Sequence, residues 1–289
     1  MEQQTLNTPD GVALVLRRWA PTPPARGSVV IGGAMGVQQD YYAPFAQWLA
    51  GQGWCVTTFD YRGCGLSLPA GRSLREVKAD LFDWARDFEA VIDHAREAAP
   101  QLPLFLVGHS LGAQLPGLFT DPRKVSGLLC VAAGSGYWRH NAPKLRRTVW
   151  YFWWVLVPLA TRLFGYFPGR RLRKVGDLPE GVILQWRKWC LNPNYSVGAE
   201  GEPVRRRYAE ARFPMLALSI TDDELITLRG TQSLMSLYEN ARPQVQRIAP
   251  EDLAVRRIGH SGAFRSEQQA RLWPRMAQWL GGLVPGAAA

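Results

Sequence analysis

A short sequence at residues 108–112, Gly-His-Ser-Leu-Gly, combines a nucleophilic side chain with two flanking glycines. It follows an apolar run and precedes residues able to form a helix, the context in which G-x-S-x-G forms a strained turn that exposes the serine hydroxyl. The glycines suit such a turn, because a Cβ at either position would strike the neighbouring strand or helix. We therefore predict Ser110 as the nucleophile of an acyl-transfer reaction. The alternative is a strand-to-helix junction whose small residues only permit close packing.

A histidine is needed to accept the proton of this hydroxyl, and a carboxylate is needed to orient that histidine. The chain contains four histidines. Three are unfavourably placed, on a predicted helix over 73–98, next to the serine, or in a basic segment without a preceding strand: His94, His109 and His140. The fourth, His260, lies in a loop between a short β-like run and the last predicted helix, 266–281. We predict that His260 is the base.

The carboxylate is expected in a loop that follows a strand between the serine and the histidine, because the chain order Ser, acid, His accompanies this kind of turn. A strand is predicted over 213–220, and Thr-Asp-Asp-Glu follows it at 221–224. Three consecutive carboxylates exceed the one that the mechanism needs. Alternatively, these acids cap a helix that starts near Thr227, since carboxylates stabilise the positive end of a helix.

Two N–H groups must also point at the oxygen that becomes negative during acyl transfer. The residue after the nucleophile supplies one of them, and here it is Leu111. The second is expected from the loop after an earlier strand, and residues 28–33 form an apolar run ending in two glycines. Ala34 is the predicted second donor, with Met35 as the alternative.

Four motifs, in this order, resemble those of the α/β-hydrolase superfamily. They are Asp-Tyr-Arg-Gly-Cys-Gly-Leu-Ser at 60–67 after the strand 54–59, the serine turn at 108–112, the acidic loop at 221–224 and Gly-His-Ser-Gly at 259–262. Within the superfamily, the chain is similar to bacterial hydrolases related to monoacylglycerol lipases and S33 serine aminopeptidases. The resemblance implies a serine hydrolase with a Ser-Asp-His triad.

The resemblance also favours Asp223 over Asp222 as the triad acid. The segment 220–227 is similar to the GxxDxxxP acid loop of many such enzymes, with Asp223 at the position of the acid. Ile220 and Thr227 replace the usual glycine and proline of that loop. A second departure lies before the oxyanion loop, where Gly-Gly at 32–33 replaces the usual His-Gly pair.

The elements around these residues predict the fold class. An alternation of strands and helices is typical of a parallel sheet with helices on both faces. The turn sequence Thr-Pro-Asp-Gly at 8–11 is expected to join two antiparallel strands at the start. The predicted strands after it are 13–18, 28–31, 55–59, 104–107 and 125–132, and the predicted helices among them are 41–52, 73–98 and 110–119.

The interval 135–212 breaks this alternation, and we predict that it is a helical cap inserted between strands 6 and 7. The core then comprises 1–134 and 213–289. This predicted cap has 15 Lys or Arg against 5 Asp or Glu, which accounts for the net charge of +10, and it holds six of the twelve tryptophans. Its apolar run, 148–160, is shorter than the ~20 residues that span a bilayer. Three interpretations remain: a lid helix lining an acyl pocket, cap core or a dimer contact, and a lipid-interface anchor.

The basic clusters of the predicted cap, at 146–147, 170–174 and 205–207, favour anionic partners. Such a partner is a substrate bearing a carboxylate or phosphate, or an acidic membrane surface. Nucleic acid is not expected, because no binding motif accompanies the basic residues. The oligomeric state stays open.

The same charge balance favours cleavage of carboxylic esters over peptides, because an aminopeptidase needs carboxylates to hold the substrate ammonium. An acyltransferase or an S33-type aminopeptidase on the same triad, and a catalytically inactive binding protein, are the alternatives. No metal or organic cofactor is expected, since the chain has no C-x-x-C or Cys/His cluster. The amino terminus has no basic region followed by an apolar one, so we expect a cytoplasmic protein.

Overall fold

A mostly parallel β-sheet organises the chain in the computed structural model, which describes residues 1–22 and 24–284. Residues 285–289, the end of the predicted core, lie outside the described part. The strands are β1 Glu2–Asn7, β2 Ala13–Trp19, β3 Gly27–Gly32, β4 Trp54–Phe59, β5 Leu104–His109, β6 Gly127–Val131, β7 Tyr166–Phe167, β8 Leu178–Pro179, β9 Met215–Ile220 and β10 Gln244–Ile248. The helices are α1 Ala43–Gly51, α2 Leu81–Glu97, α3 Pro143–Tyr151, α4 Val157–Phe164, α5 Glu180–Cys190, α6 Tyr195–Glu200, α7 Glu202–Glu210, α8 Leu228–Met235 and α9 Leu272–Gly282.

Eight of the strands form one sheet in the order β1-β2-β4-β3-β5-β6-β9-β10. The first two pairings, β1 with β2 and β2 with β4, are antiparallel, and all the others are parallel. The predicted mostly parallel sheet is confirmed, as is the antiparallel pair joined by the turn at 8–11. Because parallel strands end at the same edge, the loops after β3, β5 and β9 lie near one another.

The sheet is buried on both faces, and every residue of its central strands β3, β5, β6 and β9 is buried. In β3, Val30 packs into one core cluster, whereas Val29 and Ile31 pack into the other. This separation follows from the two-residue period of a strand. Side chains of α2 and α8 cover the first face, and those of α1 and α9 cover the second. The prediction of helices on both faces is therefore confirmed.

Several element boundaries differ from the sequence prediction. The predicted helix 110–119 is two short 3₁₀ turns, Ser110–Ala113 and Leu115–Leu118. Pro116 explains the break, because proline lacks an N–H and disfavours helical geometry in the residue before it. The predicted helix 73–98 begins only at Leu81, where a reciprocal capping box with Asp80 starts α2.

The end of the sheet also differs from the prediction. The edge strand β10 was not predicted, because four of its five residues are exposed and its sequence, Gln-Val-Gln-Arg-Ile, is mostly polar. The β-like run before His260 is not a strand, and residues 255–258 form an irregular loop. The last helix begins at Leu272 instead of 266.

The interval between β6 and β9 contains five helices, α3 to α7, and the small antiparallel pair of β7 and β8. A π-helical segment, Phe152–Leu156, joins α3 and α4 into one helical run. Within residues 1–22 and 24–284, no helix is long and apolar enough to cross a membrane.

Candidate active site

The loop after β5 holds Ser110 in a conformation that non-glycine residues rarely adopt, with φ at 51°. The glycines on either side leave no room for a side chain. A Cβ on Gly108 would lie 2.5 Å from the Gly112 carbonyl oxygen, and a Cβ on Gly112 would lie 2.0 Å from the Gly32 carbonyl oxygen. The predicted reason for these two glycines is confirmed. The strained turn places Ser110 in the lining of a cavity.

The structure brings together Asp223 and His260, which are 37 residues apart in the chain. His260 Nδ1 lies 2.9 Å from Asp223 Oδ2, and both side chains are buried. Asp223 Oδ1 accepts the backbone N–H groups of Leu225 and Ile226 at 2.7 and 2.9 Å. One carboxylate oxygen is thus anchored to the backbone and the other holds the imidazole, which leaves His260 Nε2 to accept a proton.

His260 lines the same cavity as Ser110. Their side chains share no hydrogen bond in the described part of the chain. Such bonds are often long before a substrate is bound. The arrangement therefore offers a nucleophile and a base at one end of a common space, with the acid behind the base.

The two acids beside Asp223 hold the backbone of the histidine loop. Asp222 accepts the N–H groups of Ile258 and Gly259, each at 3.0 Å. Glu224 Oε2 accepts the His260 N–H at 3.1 Å. The alternative that these acids cap α8 is wrong, because the Thr227 hydroxyl accepts the Gly230 N–H and caps that helix itself.

His109 takes part in a buried hydrogen-bond chain that the sequence did not predict. Its Nε2 lies 3.0 Å from the His260 carbonyl oxygen, which can only accept, so Nε2 carries the proton. Its Nδ1 then accepts from the Tyr42 hydroxyl at 2.8 Å. The Tyr42 oxygen in turn accepts the Ala34 N–H at 2.8 Å. Burial, followed by the neighbouring His260, lowers the pKa of His109 to about 3, so this imidazole is neutral near pH 7.

This hydrogen-bond chain affects the assignment of the oxyanion donors. The Ala34 N–H, the predicted second donor, is already engaged by Tyr42. The alternative donor, the Met35 N–H, has no acceptor among the described residues. Leu111 is at the start of a 3₁₀ turn, where N–H groups lack a partner within the turn. The assignment of Leu111, and of Ala34 or Met35, as oxyanion donors stays a prediction.

We expect Tyr42→Phe to lower stability by roughly 1–3 kcal/mol, because it leaves a buried N–H and a buried imidazole nitrogen without partners. It should also lower kcat with little change in KM, since the hydrogen bonds of Tyr42 and His109 position the loops that carry Ala34 and His260. The measurements are thermal unfolding and steady-state kinetics. Tyr41→Phe is the matched control, because the buried Tyr41 hydroxyl makes no hydrogen bond to the described residues. Equal kinetics for the two variants would contradict the positioning role.

The cavity has a volume of about 530 Å³ and mostly apolar walls. Ser110 and His260 line it together with residues from both the sheet loops and the predicted cap. The cap contributes mainly aliphatic and aromatic side chains, among them Leu145, Val149, Phe152, Trp153, Leu156 and Trp186. No carboxylate side chain lines the cavity in the described part of the chain. The space therefore suits an apolar group next to the nucleophile.

Two cations, Arg173 and Lys174, line this cavity. The other basic residues of the same sequence cluster, at 170–171, do not line it, and neither do those at 146–147 or 205–207. The loop that carries the two cations packs tightly against the loop after β3. A Cβ on Gly176 would lie 2.3 Å from the Gly36 carbonyl oxygen. This close contact holds the basic loop near the predicted oxyanion donors.

No group of three or more His, Cys, Asp or Glu side chains is arranged to hold a metal ion within residues 1–22 and 24–284.

Comparisons with known proteins agree with the fold and with the motifs. The family model described as serine aminopeptidase, S33, matches residues 23–249. A monoglyceride lipase of Homo sapiens is 30% identical over 128 residues, which are 42% of this chain and 41% of the relative. A monoacylglycerol lipase of Mycolicibacterium smegmatis is 32% identical over 102 residues, 35% of each chain. The matched region thus spans less than half of the length of either relative.

Two solved structures share the fold over nearly the whole chain. A soluble variant of monoglyceride lipase from Saccharomyces cerevisiae, in complex with a substrate analog, has a TM-score of 0.68 at 16% identity and covers 98% of this chain and 95% of its own. A thermostable carboxyl esterase from Bacillus coagulans has a TM-score of 0.66 at 12% identity, with 98% of each chain covered.

The sheet order, the strained serine turn and these structural matches define the α/β-hydrolase fold. The family match covers well over half of the chain, and the protein belongs to the S33 serine aminopeptidase family.

Proposed function

We propose that this protein is a serine hydrolase that cleaves carboxylic esters with an apolar acyl group. The observation that carries the proposal is the cavity that contains Ser110 and His260, has mostly apolar walls and has no carboxylate among the described residues that line it. An aminopeptidase must hold a substrate ammonium, for which carboxylates are the usual partners. The similarity to monoglyceride lipases supports the same choice.

In the proposed mechanism, Ser110 Oγ attacks the ester carbonyl carbon while His260 Nε2 accepts the hydroxyl proton. Asp223 stabilises the imidazolium that forms, through the 2.9 Å contact with Nδ1. His260 then protonates the leaving alcohol, and an acyl-serine ester remains. Water, deprotonated by His260, attacks this ester, and His260 returns the proton to Ser110 Oγ as the carboxylic acid leaves.

The negative oxygen of each tetrahedral intermediate needs two N–H donors. We assign one to Leu111. The second is the Met35 N–H, or the Ala34 N–H if Tyr42 releases it when the substrate binds. The tight contact between Gly176 and Gly36 supports a rigid loop at this point.

We propose that the predicted cap, 135–212, covers the nucleophile and forms the acyl site. Its support is the contribution of α3, the π-helical segment and α5 to the cavity wall. We further propose that Arg173 and Lys174 favour substrates with a carboxylate or phosphate at the end distant from the ester. Both cations are exposed at the cavity, where a charged group can keep part of its hydration.

A panel of p-nitrophenyl esters and amino-acid p-nitroanilides tests this function. We expect kcat/KM to rise with acyl length while the chain fits the cavity, since each buried CH₂ contributes about 0.8 kcal/mol, or roughly fourfold. Amides with a free ammonium should be poor substrates. Faster cleavage of the amides would instead support the aminopeptidase alternative, and acyl transfer to an added alcohol in preference to water would support an acyltransferase.

The same panel includes two esters of equal acyl length, one neutral and one ending in a carboxylate. We expect KM of the anionic ester to rise with NaCl, because the Debye length falls from ~10 Å at 0.1 M to ~3 Å at 1 M. Double replacement of Arg173 and Lys174 by Gln should remove this difference, whereas Arg146→Gln with Arg147→Gln should preserve it. Equal salt responses of the two esters in the unmodified protein would contradict the anionic preference.

A further inference from the structure

Five large hydrophobic side chains stand exposed on the helical run formed by α3, the π-helical segment and α4, and four of them, all except Tyr151, have no hydroxyl. The exposed fractions of these four are 52% for Trp150, 46% for Trp154, 63% for Leu159 and 72% for Leu163. Exposure of single apolar residues is ordinary, but a group of this size on one helix indicates a contact surface. We call these four residues the apolar face.

The spacing of the four residues is compatible with one side of a helical run that contains a π-helical segment. Their spacings along the chain are four, five and four residues. Four residues make about one turn of an α-helix, and the wider π turn closes hydrogen bonds five residues apart, so it accommodates the longer interval. The same run also carries buried residues, Val149, Trp153 and Val157. The helical run therefore has both buried and exposed apolar residues.

The segment that carries the apolar face is basic, and the first acid after it, Asp177, accepts the backbone N–H of Arg170 at 2.9 Å. The segment 135–176 contains nine Lys or Arg and no Asp or Glu. All nine are exposed, and none forms a salt bridge with any described residue: Arg139, Lys144, Arg146, Arg147, Arg162, Arg170, Arg171, Arg173 and Lys174. A surface that presents this many uncompensated cations attracts an anionic partner.

We propose that the apolar face and its basic surroundings dock on the surface of an anionic phospholipid bilayer. Helices that lie in a membrane interface typically combine tryptophan and leucine with neighbouring Lys and Arg. A second copy of this chain is a poorer occupant, because a symmetric contact would place the same uncompensated cations opposite one another. Leu159 and Leu163, the most exposed of the four, have no ring to stack on a nucleic-acid base.

The docking surface adjoins the cavity. Leu145, Thr148, Tyr151 and Leu156, on the same helical run, line the cavity that contains Ser110. Docking would therefore hold the cavity next to the lipid, from which an apolar ester could enter. The proposal goes beyond the hydrolase function and does not depend on it, because vesicle binding is measured without turnover.

Flotation with lipid vesicles tests the docking. We expect the full chain to bind vesicles of equal parts phosphatidylcholine and phosphatidylglycerol much more tightly than vesicles of phosphatidylcholine alone, since each cation near an anionic surface contributes roughly fivefold. High NaCl should weaken binding. Leu159→Ser with Leu163→Ser should lower the partition coefficient by at least about tenfold. Hydrolysis of a short soluble ester should stay unchanged, because neither leucine lines the cavity.

Matched variants elsewhere control for a general loss of apolarity or charge. Leu66→Ser changes another exposed leucine, and Arg271→Gln with Arg275→Gln changes two exposed cations near α9. These variants should bind vesicles like the parent protein, whereas Arg146→Gln with Arg147→Gln should bind roughly 25-fold more weakly. Equal binding to neutral and anionic vesicles, or no binding to either, would overturn the proposal. So would leucine variants that bind vesicles normally but lose an oligomer seen by light scattering, because the face would then be a contact between copies.

Discussion

Ser110→Ala is expected to lower kcat by a factor on the order of 10⁶, the typical effect of removing the serine of a Ser-His-Asp triad. The variant should also lose covalent labelling by a fluorophosphonate probe, because no other group would occupy the strained turn after β5. The fold should persist, since alanine, like serine, has a Cβ and meets a similar steric penalty at a φ of 51°. Kinetics, gel-based labelling and thermal unfolding measure the three effects.

Ser261 provides the control for this experiment. It also lines the cavity and directly follows His260, so the probe can reach it. Ser261→Ala should keep both labelling and most of the activity. Labelling that persists in Ser110→Ala and disappears in Ser261→Ala would show that the nucleophile had been assigned to the wrong serine.

Asp223→Asn is expected to lower kcat by roughly 10⁴. The structure gives a specific reason. The N–H groups of Leu225 and Ile226 require an acceptor at Oδ1, so the amide oxygen takes that position and the NH₂ group turns toward His260 Nδ1. His260 must then accept at Nδ1 and carry its proton on Nε2, where it cannot take the proton of Ser110.

Asp222→Asn is the matched comparison. Both oxygens of Asp222 accept backbone N–H groups of the histidine loop, so the amide leaves one of them opposed by an NH₂ group. We expect a stability loss of about 1–3 kcal/mol and a far smaller effect on kcat than for Asp223→Asn. The test compares kcat and the melting temperature of the two variants. If Asp222→Asn lowered kcat strongly and Asp223→Asn left kcat nearly unchanged, the assignment of the acid would be wrong.

The parallel sheet could be predicted because its evidence is local. Continuous apolar runs that alternate with helical stretches indicate buried parallel strands, and the glycines around Ser110 reflect contacts within a few residues of the turn and with the adjacent strand. The prediction failed where local signals were weak or in conflict. The polar edge strand β10 has no apolar period, and Pro116 divides a segment that otherwise has helical composition.

The sequence by itself determined the residue types, the order of the motifs and the concentration of charge in 135–212. Resemblance favoured Asp223 among three consecutive acids, but only the tertiary structure gave each acid its contact, because the partners lie 36 to 37 residues away in the histidine loop. The same holds for Tyr42, which contacts a histidine 67 residues further along the chain and occupies the Ala34 N–H.

Packing also decided which cations face the cavity and which face outward. Arg173 and Lys174 line it because the contact between Gly176 and Gly36 fixes their loop beside the strand ends. The exposure of the four residues of the apolar face likewise follows from the packing of their helical run and not from their residue types. Spacing along the sequence does not show which distant segments come into contact. The positions of the two cations and of the apolar face therefore depend on how the sheet and its helices pack together.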